Sequence, residues 1–184
     1  MKSHNIESSW TIFLDRDGVI NEKIVDGYVR NWEEFSFIKK ALEAISNLSK
    51  RFPKILVVTN QRGVGKGLMS EDELIIIHEK MCKAINKESG RIDKVYYCTD
   101  KSEVSEFRKP NVGMALQAKK DFPEINFTKS IMIGDSISDM LFGKSLGMTC
   151  FYIGEEMSLE GSGIIDTKFK NLYDCAYYLK GLLP

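Results

Sequence analysis

Short apolar segments alternate with amphipathic segments along the chain, and this alternation predicts repeated β-α units. Five short segments rich in Val, Ile or aromatic residues are predicted to be strands. Several of them are apolar almost throughout, as expected for strands that are covered on both faces of a sheet. The five segments are residues 10–14, 55–59, 94–97, 130–133 and 149–153.

The segments between and after these strands have the periodicity of helices with one buried face. Ser70 and Glu73 have the spacing of a capping box and are predicted to open the second helix. Two further helices are predicted after Pro110 and over residues 137–146. The apolar faces of the first, second and last predicted helices consist of Ile38, Ala41, Leu42, Ile45 and Leu48; Leu74, Ile77, Met81 and Ile85; and Leu172, Ala176, Leu179 and Leu183.

Repeated β-α units favour a parallel sheet with right-handed crossovers. We therefore predict an α/β fold, a doubly wound (Rossmann-like) parallel sheet of about five strands with helices on both faces. The 184 residues correspond to about one domain, and we expect residues 1–184 to form a single domain. Ligands of such sheets bind at the carboxyl ends of the strands, so the residues that follow each strand are the first candidates for chemistry.

Composition and charge exclude several classes of protein. The 26 Lys and Arg residues balance 26 Asp and Glu residues, so a basic field over the whole surface, as nucleic-acid binding would favour, is ruled out, although a local basic patch is not. No apolar run approaches the ~20 residues of a membrane span, and the polar N-terminal segment lacks the core of a secretory signal. Four widely spaced cysteines are typical of a reduced cytoplasmic protein. His78 and Cys82, four residues apart, are too few ligands for a zinc site.

Two carboxylates, Asp15 and Asp17, directly follow the first predicted strand. Such a pair is costly next to a buried strand unless positive charge joins it. Asp15 could act as a nucleophile on phosphorus, and Asp17 could give a proton to the leaving oxygen and later take one from water. Mg²⁺ prefers carboxylate and carbonyl oxygens and would neutralise the pair. A solvated turn containing Asp17-Gly18 is the alternative interpretation.

Polar groups suited to phosphate also follow the other strands. Thr59, Asn60 and Gln61 offer a hydroxyl and two amides after the second strand, although a flexible loop is an alternative interpretation. The nearby glycines do not make a P-loop, because that motif needs Gly at position 60 and Ser or Thr at position 67. Arg108-Lys109 precedes a predicted helix, where cations do not favour the helix dipole, so either a nearby anion or plain solvation explains them.

Two further acids follow the fourth strand. Asp135 could complete an oxygen-only Mg²⁺ site, and Asp139, one helical turn later, could hold Lys109 or a metal-bound water. A helix cap supplied by Asp135, Ser136 or Ser138 is the alternative. Each of these signals is weak alone. Together they place an acid pair, a hydroxyl, a lysine and further acids at one edge of one predicted sheet.

The chain resembles the haloacid-dehalogenase-like (HAD) phosphohydrolases, whose four motifs match Asp15-x-Asp17, Thr59, Lys109 and Gly134-Asp135-x-x-x-Asp139. Within that superfamily it is similar to the D-glycero-D-manno-heptose 1,7-bisphosphate phosphatases and the related histidinol-phosphate phosphatases. The segments that carry this similarity are FLDRDGVIN, GYV, VVTNQRGVGKG, YYC, RKP and GD, spread over about residues 10–153.

The resemblance implies a role for each matching residue. Asp15 would be the nucleophile, Asp17 the general acid and base, and Thr59 and Lys109 would stabilise the transferring phosphoryl group. Mg²⁺ would be held by Asp15, the backbone carbonyl of Asp17, and Asp135, with Asp139 in support. Arg108 would hold a second phosphate. The substrate-lining positions would be Gly27, Tyr28, Asn60, Gln61 and Arg62.

The chain departs from the family pattern in two ways. These families commonly carry a zinc loop with Cys-x-His and Cys-x-Cys pairs, of which only Cys98 is present, so no zinc is expected. Ser136 stands where heptose bisphosphate phosphatases often have Lys, which leaves the exact substrate open. No long insertion follows Asp17 or Thr59, so we expect a fold without a cap domain.

The leading hypothesis from the sequence is a Mg²⁺-dependent sugar-phosphate phosphatase that forms an aspartyl-phosphate. Heptose 1,7-bisphosphate hydrolysed to the 1-phosphate is the expected reaction. Histidinol-phosphate phosphatase, nucleic-acid 3′-phosphatase and a non-catalytic phosphate-binding protein are the alternatives. The expected partner is a small sugar phosphate, with no nucleic acid and no membrane, for a monomer in the cytoplasm.

Overall fold

Six parallel strands form the centre of the protein, and the computed structural model describes residues 6–155 and 163–182. Each strand is only three to seven residues long, and the four strands in the middle of the sheet are almost wholly buried. The strands are β1 (Thr11–Leu14), β2 (Lys54–Asn60), β3 (Lys94–Cys98), β4 (Ser130–Gly134), β5 (Thr149–Ile153) and β6 (Thr167–Phe169).

The strand order β3-β2-β1-β4-β5-β6 places β1 and β4 side by side at the centre of the sheet. From β1 the chain builds outward through β2 and β3, and it then returns to build the other half from β4. The point between β1 and β4 is therefore the topological switch point, where ligands of doubly wound sheets bind. Leu14 pairs with Ile133 of β4 and Val57 of β2, so the residues after these three strands reach the same edge.

Helices cover both faces of the sheet. Ile12 and Leu14 pack into one buried cluster with α1, α3 and α6, whereas Phe13 packs into the other with α4 and α5. This alternation follows from the two-residue period of a strand. In the described part of the chain the helices are α1 (Ala41–Ser49), α2 (Arg62–Gly65), α3 (Glu71–Lys87), α4 (Gly113–Asp121), α5 (Ile137–Ser145) and α6 (Leu172–Leu182), with 3₁₀ turns at Trp32–Glu34 and Phe127–Lys129.

The α/β class and the parallel, doubly wound sheet predicted from the sequence are confirmed, but the expected count of about five strands is wrong by one. The additional strand, β6, is a half-buried edge strand of three residues without an apolar run. Ile38 lies before α1, because Lys40 has a φ of 65° and the helix begins after it. Trp10 lies before β1, and Leu183 lies outside the described residues.

The capping box that opens α3 is present, with Ser70 accepting from the Glu73 N–H at 3.1 Å.

A membrane crossing needs a longer and more apolar helix than any in residues 6–155 and 163–182.

Candidate active site

A cavity of about 230 Å³ opens at the carboxyl edge of the sheet, over the switch point between β1 and β4. Its lining brings together eleven of the twelve site residues predicted from the sequence; the exception is Arg62. Five lining residues were not predicted as site residues: Lys23, Ile24, Val29, Ser136 and Ser138. The predicted residues that line the cavity are Asp15, Asp17, Gly27, Tyr28, Thr59, Asn60, Gln61, Arg108, Lys109, Asp135 and Asp139.

Lys109 is the charged centre of the cavity, and its side chain is almost inaccessible to solvent. Its Nζ lies 2.8 Å from Asp15 Oδ1 and 2.6 Å from Asp139 Oδ1, and it donates to the Val58 carbonyl at 2.6 Å. Burial lowers the pKa of Lys109, but the two carboxylates more than offset this and raise it above its ordinary value. The lysine is therefore charged at neutral pH and directed toward the end of β1.

Asp15 follows β1 directly, and its backbone N–H donates to the Ile133 carbonyl at 2.9 Å, which continues the ladder with β4. Burial raises the pKa of Asp15 to about 7; the charge of Lys109 opposes this rise, and Asp139 and Asp135 reinforce it. Asp15 and Asp139 thus share Lys109, and the charge of Asp135 lies close to both. A further cation beside them would favour the ionised form of Asp15.

Asp15, Asp135 and Asp139 each offer a carboxylate oxygen, and these oxygens lie within 4.8 Å of one another. Asp139 is already committed to Lys109 and to Ser136, whose Oγ donates to its Oδ2 at 2.6 Å. Asp135 Oδ1, by contrast, is buried and has no hydrogen-bond partner among the described residues. An orphaned carboxylate oxygen beside Asp15 in an all-oxygen donor set fits Mg²⁺.

Two glycines make room for these carboxylates. Gly18 has a φ of 86°, and a Cβ there would overlap Oδ2 of Asp135. A Cβ at Gly134 would overlap the side chain of Asp139. Both positions therefore need glycine because the acids lie against the backbone.

Asp17 is held by three side chains. Arg16 Nη2 lies 2.9 Å from both carboxylate oxygens, Asn21 Nδ2 donates to Oδ1 at 2.9 Å, and Gln61 Nε2 donates to Oδ2 at 2.8 Å. Burial raises the pKa of Asp17, but the charge of Arg16 and these hydrogen bonds outweigh it and hold the pKa below its ordinary value. The different surroundings of the two acids after β1 therefore shift their pKa values in opposite directions.

The amides after β2 connect the site internally. Gln61 Nε2 also donates to Thr59 Oγ1 at 2.8 Å, which orients that buried hydroxyl at the cavity. The Asn60 side chain accepts from the Lys109 backbone N–H at 3.0 Å and donates to the Lys109 carbonyl at 3.1 Å. Asn60 therefore fixes the backbone of the lysine, a role that the sequence did not predict.

Loops form the outer part of the lining. Arg108 has a buried Nη1 without a hydrogen-bond partner in the described part of the chain, and Gly27 and Tyr28 line the same cavity. Burial, followed by the neighbouring charge of Arg62, lowers the pKa of Arg108. Arg62 itself pairs with Glu103 at 2.9 Å. Lys23 donates to Asp135 Oδ2 at 2.9 Å, with its side chain largely exposed.

Sequence reasoning missed Arg16, Asn21, His78 and Lys23 as members of the site. In the sequence, Arg16 only separates two acids and shows no role of its own. Its partner His78 is 62 residues away along the chain. The available signal was periodicity, because His78 lies four residues after Leu74 on the face of α3 that packs on the sheet. Ser136 caps α5 together with Asp139, as one of the alternatives for this segment expected.

The fold and the site define a class: a phosphate-transferring enzyme of HAD type, with an acid-lysine centre at the switch point of a parallel sheet. Residues 12–169 match the model of a family described as polynucleotide kinase 3 phosphatase. The D-glycero-alpha-D-manno-heptose-1,7-bisphosphate 7-phosphatase of Mycobacterium bovis is 35% identical over 173 residues, which cover 91% of this chain and 90% of that protein.

The D-glycero-beta-D-manno-heptose-1,7-bisphosphate 7-phosphatase of Haemophilus influenzae is 35% identical over 181 residues, which cover 93% of this chain and 97% of that protein. The crystal structure of a D,D-heptose 1,7-bisphosphate phosphatase from B. bronchiseptica, complexed with magnesium and phosphate, superimposes with a TM-score of 0.81 at 23% identity. It covers 93% of this chain and 98% of that one. The chain therefore belongs to this family of HAD-type phosphatases and is a phosphomonoester hydrolase.

Proposed function

We propose that the chain is a Mg²⁺-dependent phosphatase that converts D-glycero-D-manno-heptose 1,7-bisphosphate to the 1-phosphate. One observation carries this proposal: Lys109 joins Asp15 and Asp139 at a cavity that also contains Arg108, whose Nη1 has no hydrogen-bond partner among the described residues. Lys109 and its two acids suit the phosphate that is hydrolysed. Arg108 suits a second phosphate that remains on the sugar. The names of the two curated relatives, each 35% identical, favour the same substrate.

In the proposed reaction, Asp15 attacks phosphorus and forms an aspartyl-phosphate as the bond from phosphorus to the sugar oxygen breaks. The electron pair stays on the sugar oxygen, and Asp17 donates the proton that neutralises it. Water then attacks the aspartyl-phosphate while Asp17 takes a proton from it, which releases phosphate and restores Asp15. Lys109, 2.8 Å from Asp15, favours the ionised carboxylate that this attack requires.

Phosphoryl transfer depends mainly on positioning and charge neutralisation. Lys109 and the Thr59 hydroxyl would stabilise the phosphoryl oxygens, and Asp139 would orient Lys109. Asp15, Asp135 and the backbone carbonyl of Asp17 would hold Mg²⁺, with the orphaned Asp135 Oδ1 as support for that choice. A bound Mg²⁺ supplies further positive charge to the phosphoryl group.

The substrate contact proposed for Arg108 rests on an unsatisfied donor. A guanidinium can bind phosphate through two parallel hydrogen bonds, and a buried nitrogen without a partner gains most from such a ligand. Gly27 and Tyr28, which line the same cavity, would contact the sugar, as would Gln61 and Asn60. Arg62 does not line the cavity, so its proposed contribution is the positive charge that it adds beside Arg108.

We also propose that residues 1–184 act as a capless single domain and as a monomer in the cytoplasm, without zinc. The four cysteines are free, which suits a reducing compartment. Cys98 Sγ lies 3.8 Å from Ser105 Oγ in the loop where related enzymes carry zinc ligands.

A panel of phosphate esters tests the proposed function. Purified protein with Mg²⁺ would be assayed on the alpha and beta anomers of heptose 1,7-bisphosphate, histidinol phosphate, a 3′-phosphorylated oligonucleotide and p-nitrophenyl phosphate. We expect the highest kcat/KM on a heptose bisphosphate, with release of the 7-phosphate. Preference for histidinol phosphate or for the oligonucleotide would contradict the proposed substrate and leave the phosphatase class intact.

A further inference from the structure

His78 is a buried ring close to the site that the proposed reaction does not use. It lies on α3, and its Nε2 is 3.1 Å from Nη1 of Arg16. Because a guanidinium only donates hydrogen bonds, Nε2 must accept and therefore carries no proton. Burial and the charge of Arg16 lower the pKa of His78 to about 3, so the ring remains an acceptor at neutral pH.

Arg16 connects this ring to Asp17. The Arg16 side chain is fully buried, with Nη1 on His78 and Nη2 on both oxygens of Asp17. Its Nε has no hydrogen-bond partner among the described residues. His78 therefore fixes one end of a planar group whose other end holds Asp17, and a turn of that plane would move Nη2 away from the carboxylate.

His78 is itself held in place by a third layer. Its ring packs against Tyr97 with centroids 5.4 Å apart, and the Tyr97 hydroxyl donates to Glu71 at 3.0 Å. Glu71 is the first residue of α3, and Tyr97 lies on β3. A series of contacts therefore connects Glu71 through Tyr97, His78 and Arg16 to Asp17, which follows β1.

We propose that His78 is a positioning residue that acts through Arg16 to hold Asp17 for proton transfer to the leaving oxygen. This inference rests on the proposed function, since it requires Asp17 to be the acid. Arg16 Nη2 contacts both carboxylate oxygens of Asp17 and thereby fixes the position from which Asp17 exchanges its proton. The contribution of His78 is to keep the guanidinium in the one orientation that does this.

The leaving group provides a test that a purely structural role would not pass. An alkoxide leaving from a sugar phosphate needs the proton of Asp17, whereas nitrophenolate departs without one. His78→Leu should therefore lower kcat/KM, which reports the step in which the leaving group departs, about 10- to 100-fold on an alkyl phosphate such as the heptose bisphosphate, a part of what general acid catalysis supplies. The same variant should lose less than threefold in kcat/KM on p-nitrophenyl phosphate, because that substrate needs no proton in the first step. His78→Gln, which restores a neutral acceptor, should recover most of the lost activity.

Two further variants keep the test decisive. Ile77→Val, one residue earlier on the same buried part of α3, should leave the ratio of the two activities unchanged. Arg16→Lys, which keeps the charge and loses the planar fork, should show the same selective loss as His78→Leu and replaces it if that variant does not fold. Equal losses on both esters would overturn the inference while the phosphatase function stands. A wild-type chain that hydrolyses neither ester would overturn the proposed function and this inference with it.

Discussion

The lining of the cavity has two parts that are built differently. The strand-end centre, Asp15, Lys109, Asp135 and Asp139, follows directly from β1 and β4 or contacts residues that do. The loop rim consists of Lys23, Gly27, Tyr28 and Arg108, which come from irregular segments. Lys109 also comes from such a segment, but its contacts with Asp15 and the Val58 carbonyl hold it at the strand ends. In the centre, Lys109 has three polar partners within 2.8 Å. In the rim, Arg108 has a buried nitrogen without one among the described residues.

This difference separates the proposed chemistry from the proposed specificity. A sheet fixes the direction of every side chain at its edge, so groups that must act within tenths of an ångström are best placed there. Loops can change without disturbing the sheet, which suits groups that select one substrate from many. The incomplete hydrogen bonding of Arg108 is consistent with a rim that is completed by its ligand.

The largest effect is expected in the strand-end centre. Asp15→Asn replaces the attacking carboxylate by an amide, which does not attack phosphorus, and should lower kcat at least about a thousandfold on every ester. Phosphate release measured on p-nitrophenyl phosphate and on the heptose bisphosphate would check this. Asp174→Asn, at an exposed position of α6, is the matched control and should remain active. Comparable turnover by Asp15→Asn and the wild type would exclude the covalent mechanism.

A smaller and selective effect is expected in the loop rim. Arg108→Ala should lower kcat/KM about 10- to 100-fold on the bisphosphate, the value of one charged hydrogen-bonding group. On p-nitrophenyl phosphate, which has no second phosphate, the loss should stay below threefold. Arg62→Ala should have an intermediate effect. Arg30→Ala should have none, because Arg30 pairs with Glu34 and does not line the cavity. Equal losses on both substrates would assign Arg108 to the reacting phosphate.

The charge imbalance of the centre predicts how stability depends on pH without metal. Burial raises the pKa of Asp15 to about 7, so between its unfolded pKa near 4 and pH 7 the folded state binds the extra proton. Stability in EDTA should therefore fall as pH rises through this interval. Melting temperatures at pH 5, 6, 7 and 8 should show the fall in the wild type, a smaller one in Asp15→Asn, and a reversal on adding Mg²⁺. Identical pH profiles for the wild type and the variant would contradict the raised pKa.

The smallest effect is expected at a contact between the loop rim and the strand-end centre. Lys23 of the rim donates to Asp135 at 2.9 Å, where its charge opposes that of a bound cation. Because the Lys23 side chain is largely exposed, Lys23→Met should lower the Mg²⁺ concentration for half-maximal activity only about two- to fivefold. Lys129→Met, just before the opposite end of β4, is the control. A higher Mg²⁺ requirement in Lys23→Met would mean that the lysine assists the metal.

The sequence predicts the strand-end centre better than the rest of the molecule, for a physical reason. Acids that directly follow apolar strands are visible as patterns within a few residues, as Asp15 and Asp135 are. Arg16 and His78 are joined across 62 residues, and no local pattern reports such a contact. The strand β6 is missing from the prediction because its three half-buried residues form no apolar run. The role of Asn60 depends on the backbone of Lys109, which sequence does not locate.

The two hydrogen bonds between the Asn60 side chain and the Lys109 backbone have a consequence for protein engineering. The Asn60 side chain hydrogen-bonds to both the backbone N–H and the carbonyl of Lys109, which lies 49 positions further along the chain. The lysine backbone is therefore held by a residue outside its own loop. Residues 101–104, between β3 and that anchor, are all exposed. This stretch is therefore a suitable place to insert a reporter peptide or to vary the loop sequence in a library, because Asn60 holds the backbone of Lys109 from outside the stretch.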